Sequence, residues 1–332
     1  DLGGNVLDEG QVVAVTENGV RVADASYNYG LSTGDSNDGI YLYYGLTELE
    51  LKDGQTLTLS GDETTPAGSN DMKAKITGSG NLAISATDRI ILANSNNDYR
   101  GSTTVSEGTL QLGTDHALGE TRELNIHSGA RTDINGKDQK IGTLNGEGEL
   151  DINRGNLEIA GGGEFGGVIS GSAGTLALSG GTLTVANANE KLDAVIDLQS
   201  GATARLQSVK GLGNGNINLS GDLQLSGAQG TMENRLEGTG IVSLTNGSNV
   251  GFSADNADFS GSIHIGSGTT LSATSDSQLG TATVTNEGNL VLHSDDDWKF
   301  DNVMNGSGKL VKEGEGIVRI SSEYAHEGGT EI

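Results

Sequence analysis

Along most of this chain, short apolar alternations follow glycines. Gly80-Asn81-Leu82-Ala83-Ile84, Gly108-Thr109-Leu110-Gln111-Leu112, Gly155-Asn156-Leu157-Glu158-Ile159, Gly181-Thr182-Leu183-Thr184-Val185 and Gly288-Asn289-Leu290-Val291-Leu292 share one form. Each is a glycine, a polar residue, then apolar-x-apolar. A period of two places the Leu, Ile and Val side chains on one side of a strand. A glycine in front supplies a turn with positive φ or a close backbone approach. A unit this short cannot bury its apolar side alone. Its recurrence predicts stacked coils, each covering the next. The expected fold is all-β: a right-handed parallel β-helix, or β-solenoid, with three strands per coil, a triangular cross-section and essentially no α-helix. At ~20 residues per coil, the length allows about sixteen coils and a rod of roughly 75 Å.

Two regions are expected. In residues 1–60 glycine is sparser, and Tyr27, Tyr29, Tyr41, Tyr43 and Tyr44 cluster. We read these residues as Tyr-rich solenoid coils. Residues 61–332 carry the regular repeats, with a loop around Pro66, the only proline.

Composition narrows the choice. Of 332 residues, 54 are Gly, and aromatic content is 4%. Ordinary chains are about 7% Gly. A narrow aliphatic column fits this makeup better than a wide globular core. The net charge of −26 repels nucleic acid and anionic lipid. It favours basic patches, cations, or neutral and weakly charged glycans as partners. The chain has no cysteine, which suits export through an oxidising periplasm. No stretch approaches the ~18 apolar residues of a membrane helix, so direct insertion of this segment into a membrane is not expected. No signal peptide opens it at Asp1.

A longer unit overlies the short one. Asp98-Tyr99-Arg100-Gly101-Ser102-Thr103-Thr104-Val105 precedes Gly108-Thr109-Leu110, and Asp258-Phe259-Ser260-Gly261-Ser262-Ile263 precedes Gly268-Thr269-Thr270-Leu271. A third start is read at Glu323-Tyr324. It is cut short at Ile332, as expected where a longer chain is divided inside a repeat. This unit, with the Gly-Ser-Gly-x-Leu segments, resembles the passenger domains of bacterial type V autotransporters. The resemblance is closest to the AIDA/antigen-43-like adhesins of enterobacteria and covers about residues 40–332. It implies an extracellular, cell-surface β-helix exported through periplasm and outer membrane by a C-terminal β-barrel absent from this sequence. It further implies a non-enzymatic adhesin acting in aggregation and biofilm formation. The partners would be a second copy of the chain, an extracellular polysaccharide or a host matrix component.

Candidate chemistry is sparse. Gly34-Asp35-Ser36-Asn37 loosely matches a serine-protease nucleophile motif but lacks its final glycine, and all five histidines lie far downstream. Asp35-Ser36-Asn37-Asp38-Gly39 has calcium-loop oxygens without the distal glutamate. Asp295-Asp296-Asp297-Trp298-Lys299 is the densest cluster. It could cap a turn, touch a sugar, or serve a polysaccharide lyase or hydrolase, which is the alternative function. Asp98/Tyr99 and Asp258/Phe259 are repeat-locked, which favours an aromatic packed at a coil corner with the acid capping a turn, and leaves a surface contact as the other role; Tyr41 and Tyr43 lie in the aromatic start. The five cluster residues with Asp98, Tyr99, Asp258, Tyr41 and Tyr43 are the candidate contacts. No catalytic residue, metal site or cofactor is expected.

Overall fold

The computed structural model describes residues 12–32, 41–61, 71–321 and 324–332. It is a parallel β-solenoid of about 13 turns. Among the described residues the only helical element is a 3-10 turn at Asp276–Leu279.

Each turn contributes three strand segments, and like segments stack in register. On the first face Leu57 pairs with Leu82 and Leu82 with Thr103. The same column passes through Leu124, Leu183, Ala204, Leu223, Val242, Ile263 and Val284. Every one of these side chains is buried. The second face runs through Arg131–Asp133 and Glu149–Asp151 to Asn249–Phe252 and Lys309–Glu313. The third contains Ile217–Leu219, Leu236–Gly238 and Trp298–Phe300. Alternation therefore works as the sequence predicts: inward aliphatics join a single core cluster from Val22 to Leu310.

The coils are fewer than the sixteen expected, for two reasons. The step from Leu57 to Leu82 is longer than the later steps, such as Leu223 to Val242. The first strands also form no coil. Strands β1 (Val12–Glu17), β2 (Val20–Ser32) and β3 (Tyr41–Leu51) pair antiparallel, where parallel coils were expected. Asn18 and Gly19, at φ 51° and 81°, make the tight turn that a two-residue hairpin needs. Glu17 then anchors the hairpin: its carboxylate accepts the Thr58 N–H at 2.6 Å and the Thr58 hydroxyl at 3.1 Å. Val22, Ala23, Ala25, Leu49 and Leu51 join the same buried core, and β3 passes to parallel pairing at Leu49–Ile76.

The repeat-locked aromatics occupy one corner. Tyr99 and Phe259 are wholly buried. The glycine two residues after each sits against the preceding coil. A Cβ on Gly101 would fall 2.0 Å from the Gly80 carbonyl oxygen, and one on Gly261 would fall 1.9 Å from that of Gly240. The third unit does not follow. Tyr324 pairs with Met304, in the column of Ile263 and Val284. It lies on a strand of the first face, four places out of register with the corner.

Buried asparagines also bridge consecutive coils, two of them in the turns that hold these aromatics. Asn97 accepts the Ile76 N–H at 2.8 Å and donates to the Ala117 carbonyl at 2.7 Å. Asn189 does the same between Ile169 and Gly211, and Asn256 between Leu236 and Gln278. Each reaches the coil before it and the coil after it. Buried amides are costly unless bonded, so each of these asparagines fixes the register of three turns at once.

Candidate functional site

The Asp295–Lys299 cluster folds as a turn whose acids point to separate tasks. The Asp297 carboxylate accepts the Ile317 N–H of the next coil at 2.9 Å and stands 3.8 Å from Arg319. Asp295 lies 3.8 Å from His293. The Asp296 carbonyl accepts the Ser294 hydroxyl. Lys299 pairs with Asp301 at 2.8 Å. Hydrogen bonds from Lys299 and Ser321 hold Asp301 below the ordinary carboxylate range. Trp298 is half-buried against the core, and its indole N–H is buried with no partner. The three acids do not converge on one point. Among the described residues, no group of three or more metal-type ligands is assembled.

Asp98 and Asp258 do matching work. Lys75 holds Asp98 at 2.7 Å, and Arg235 holds Asp258. In both cases the base sits one coil earlier, 23 residues back. Burial pushes Asp98 up, but hydrogen bonds from Lys75 and Thr77 and the Lys75 charge hold it below its usual value. Lys75 is raised in turn, chiefly by its bond to Asp98. Tyr99 is not a surface contact. It has no exposed area, its hydroxyl bonds Thr103 at 2.7 Å, and burial raises it to about 12. Tyr41 and Tyr43 pair through their backbones with Ser32 and Gly30, and their side chains lie outside the described residues. So do Gly34 to Gly39.

Two surface features escape a reading of single motifs. The first is the outward row of the first face. Thr104, Asn125 and Asn145 stack in the early coils. Gln224, Ser243, His264 and Thr285 stack in the later ones. Between the two runs stand Glu164, Thr184 and Arg205, one acid and one base on either side of a threonine. The row therefore carries little net charge. Its residues look like ordinary strand polar positions until register aligns them.

The second is a cavity of about 460 Å³ lined by His116, Gly119, Glu120, Thr121, Arg122, Lys140, Ile141, Gly142 and Ala160. A further hollow of about 300 Å³ shares His116 and Lys140 with it. His116 has φ 54°, in the left-handed region. Lys140 pairs with Glu158 at 2.7 Å, and Arg100 with Glu120 at 2.8 Å. The bonds from Lys140 and Ser179 hold Glu158 below its usual value. These residues are scattered from 116 to 160, so only the stacking of coils brings them together.

No family profile matches the chain, and no solved structure matches it. Over its whole length the chain is 36% identical, across 345 aligned positions, to the uncharacterized lipoprotein YdeK of Escherichia coli (strain K12), covering 25% of that protein. It is 36% identical across 340 positions to the uncharacterized protein YuaQ of the same organism, covering 24% of it. Over 46% of its length it is 30% identical to the adhesin BmaC autotransporter of Brucella suis biovar 1 (strain 1330), covering 4% of that protein. The chain thus spans about a quarter of the length of the two Escherichia coli proteins it is similar to from end to end.

Proposed function

We propose that this chain is a non-enzymatic, adhesive segment of a surface-displayed autotransporter-type passenger. The observation that carries the reading is the outward row of the first face. On a chain of net charge −26, this row offers hydroxyl and amide groups coil after coil, about 4.8 Å apart. Each contact contributes about 0.5–1.5 kcal/mol, and repetition along a rigid rod multiplies them. Like-charged rods can approach along such a row with the least repulsion. Extended polysaccharides can lie along it as well. The partial likeness to an autotransporter adhesin and the lipoprotein name of one relative agree with a cell-envelope setting. They support an adhesin of autotransporter type in general, without selecting the AIDA/antigen-43 group.

The separate engagement of Asp295 and Asp297 favours binding over hydrolysis, which needs two facing carboxylates. Cells displaying this segment should aggregate or bind polysaccharide, and introducing Asp at Thr184 and Thr285 should abolish both. Persistence of adhesion in that variant removes the face from consideration. Release of sugar fragments by the purified chain would revive the lyase or hydrolase alternative.

A further inference from the structure

The chain holds 45 acids against 19 Lys and Arg, yet the cavity beside the His116 turn reverses that balance. Arg122, Lys140 and His116 stand on its rim, with Glu120 as its one acid. Glu120 is already paired with Arg100 and Lys140 with Glu158. Arg122 is exposed and makes no ion pair among the described residues. Beside these groups the lining is small and apolar: Gly119, Gly142, Ala160 and Ile141. Gly142 must be glycine, because a Cβ there would lie 2.0 Å from the Arg122 carbonyl oxygen. The lining's shape and the placement of Arg122 therefore come from the same coil contact. A concave, mostly apolar hollow with a few convergent polar groups is the usual form of a small-ligand site.

We propose that this cavity binds a carboxylated sugar, a hexuronate unit of an acidic polysaccharide. The proposal deepens the adhesive reading above and rests on it. An unpaired guanidinium matches a carboxylate with two parallel N–H donors. The C–H side of a pyranose ring suits the lining of Gly119, Gly142 and Ala160. The sugar hydroxyls find an acceptor in Glu120 and donors in Lys140 and His116. With one carboxylate per sugar, a uronate chain meets less repulsion from the acidic rod than a more densely charged one. Sulfated or phosphorylated chains would meet the repulsion of a strongly acidic rod, and Glu120 and Glu158 stand close by. The second hollow, sharing His116 and Lys140, gives the next sugar of the chain a place to continue.

The test uses the whole segment. Calorimetry and amide chemical shifts are followed with a trigalacturonate and with its neutral glucose-based counterpart, at low and physiological salt. The expected result is saturable trigalacturonate binding that weakens with salt. Shifts should centre on residues 116–122 and 140–142. Arg122→Gln should weaken binding about tenfold or more. Lys309→Gln, whose lysine pairs with Glu331 elsewhere on the rod, should leave it unchanged. Equal binding of the neutral trisaccharide, no saturable binding at all, or an unaffected Arg122→Gln would each overturn the proposal. Cell aggregation measured in parallel separates the two readings. Adhesion by cells displaying the unaltered segment, when that same purified segment shows no saturable uronate binding, discards the cavity and keeps the adhesive rod. Adhesion absent from every displayed form discards the rod itself.

Discussion

Tyr99 Oη lies 2.7 Å from Thr103 Oγ1, and both side chains are wholly inside the core. Thr103 in turn lies 2.8 Å from Thr121 Oγ1, which donates to the Gly101 carbonyl at 2.9 Å. Phe259 fills the equivalent corner without a hydroxyl. Tyr99→Phe should therefore be mild, about 1 kcal/mol, because the two threonines keep each other. Tyr99→Ala should cost about 3–5 kcal/mol. Urea midpoints of the two variants check the difference.

The same group gives the rod an alkaline limit. Burial, partly offset by the hydrogen bonds of Thr103 and Thr121, holds Tyr99 at about 12, against ~10 in an unfolded chain. Its contribution is complete below pH ~10 and is lost as pH rises towards ~12. It is on the order of 3 kcal/mol. Thermal melts should fall across that window, and Tyr99→Phe should flatten the fall.

On the acid side the direction reverses. Asp98 and Glu158 are held below their usual values, so their stabilisation is present above pH ~4 and fades as pH falls through the depressed values. Both carboxylates are partly exposed, so each pair is worth less than about 1 kcal/mol. Asp98→Asn should shallow the acid limb of a pH–stability curve slightly, and high salt should mask the change.

Gly101→Ala forces a Cβ to within 2.0 Å of the Gly80 carbonyl. That should cost more than about 3 kcal/mol and open the corner locally. A Cβ added at Gly45 would meet nothing within 4 Å, and the backbone there has no positive φ. Gly45→Ala should be neutral or raise stability by up to about 1 kcal/mol. Melting temperatures of the pair decide it.

Asn256→Ala removes two hydrogen bonds and leaves the Leu236 N–H and the Gln278 carbonyl unmet. The cost should be on the order of 3 kcal/mol. Hydrogen exchange should show faster opening in the coils on both sides of residue 256, not only in its own.

The coil repeat was open to a sequence reading because Leu82, Leu110 and Leu183 stand at period two behind glycines. The burial of Tyr99 was legible in part, since a repeat-locked Asp-aromatic pair favours a packed corner over an exposed contact. The antiparallel start was not legible: Val12–Glu17 reads as a short apolar strand and Leu46–Leu51 reads like any coil strand, and neither pattern marks the pairing direction. The false third repeat at Tyr324 shows the limit of matching residue types without register. Asn97, Asn189 and Asn256 stand in plain view in the sequence, but polar residues inside a core read as turn residues until their partners are seen. The cavity was out of reach, because Arg122 and Lys140 meet only after the chain has gone once around.

The shared asparagines also bear on wear. Each ties three turns together and no more, so damage has a built-in range. A protease cut in an outer loop should fray the neighbouring rungs and then stall, leaving long stretches of shaft on either side intact and still able to hold on.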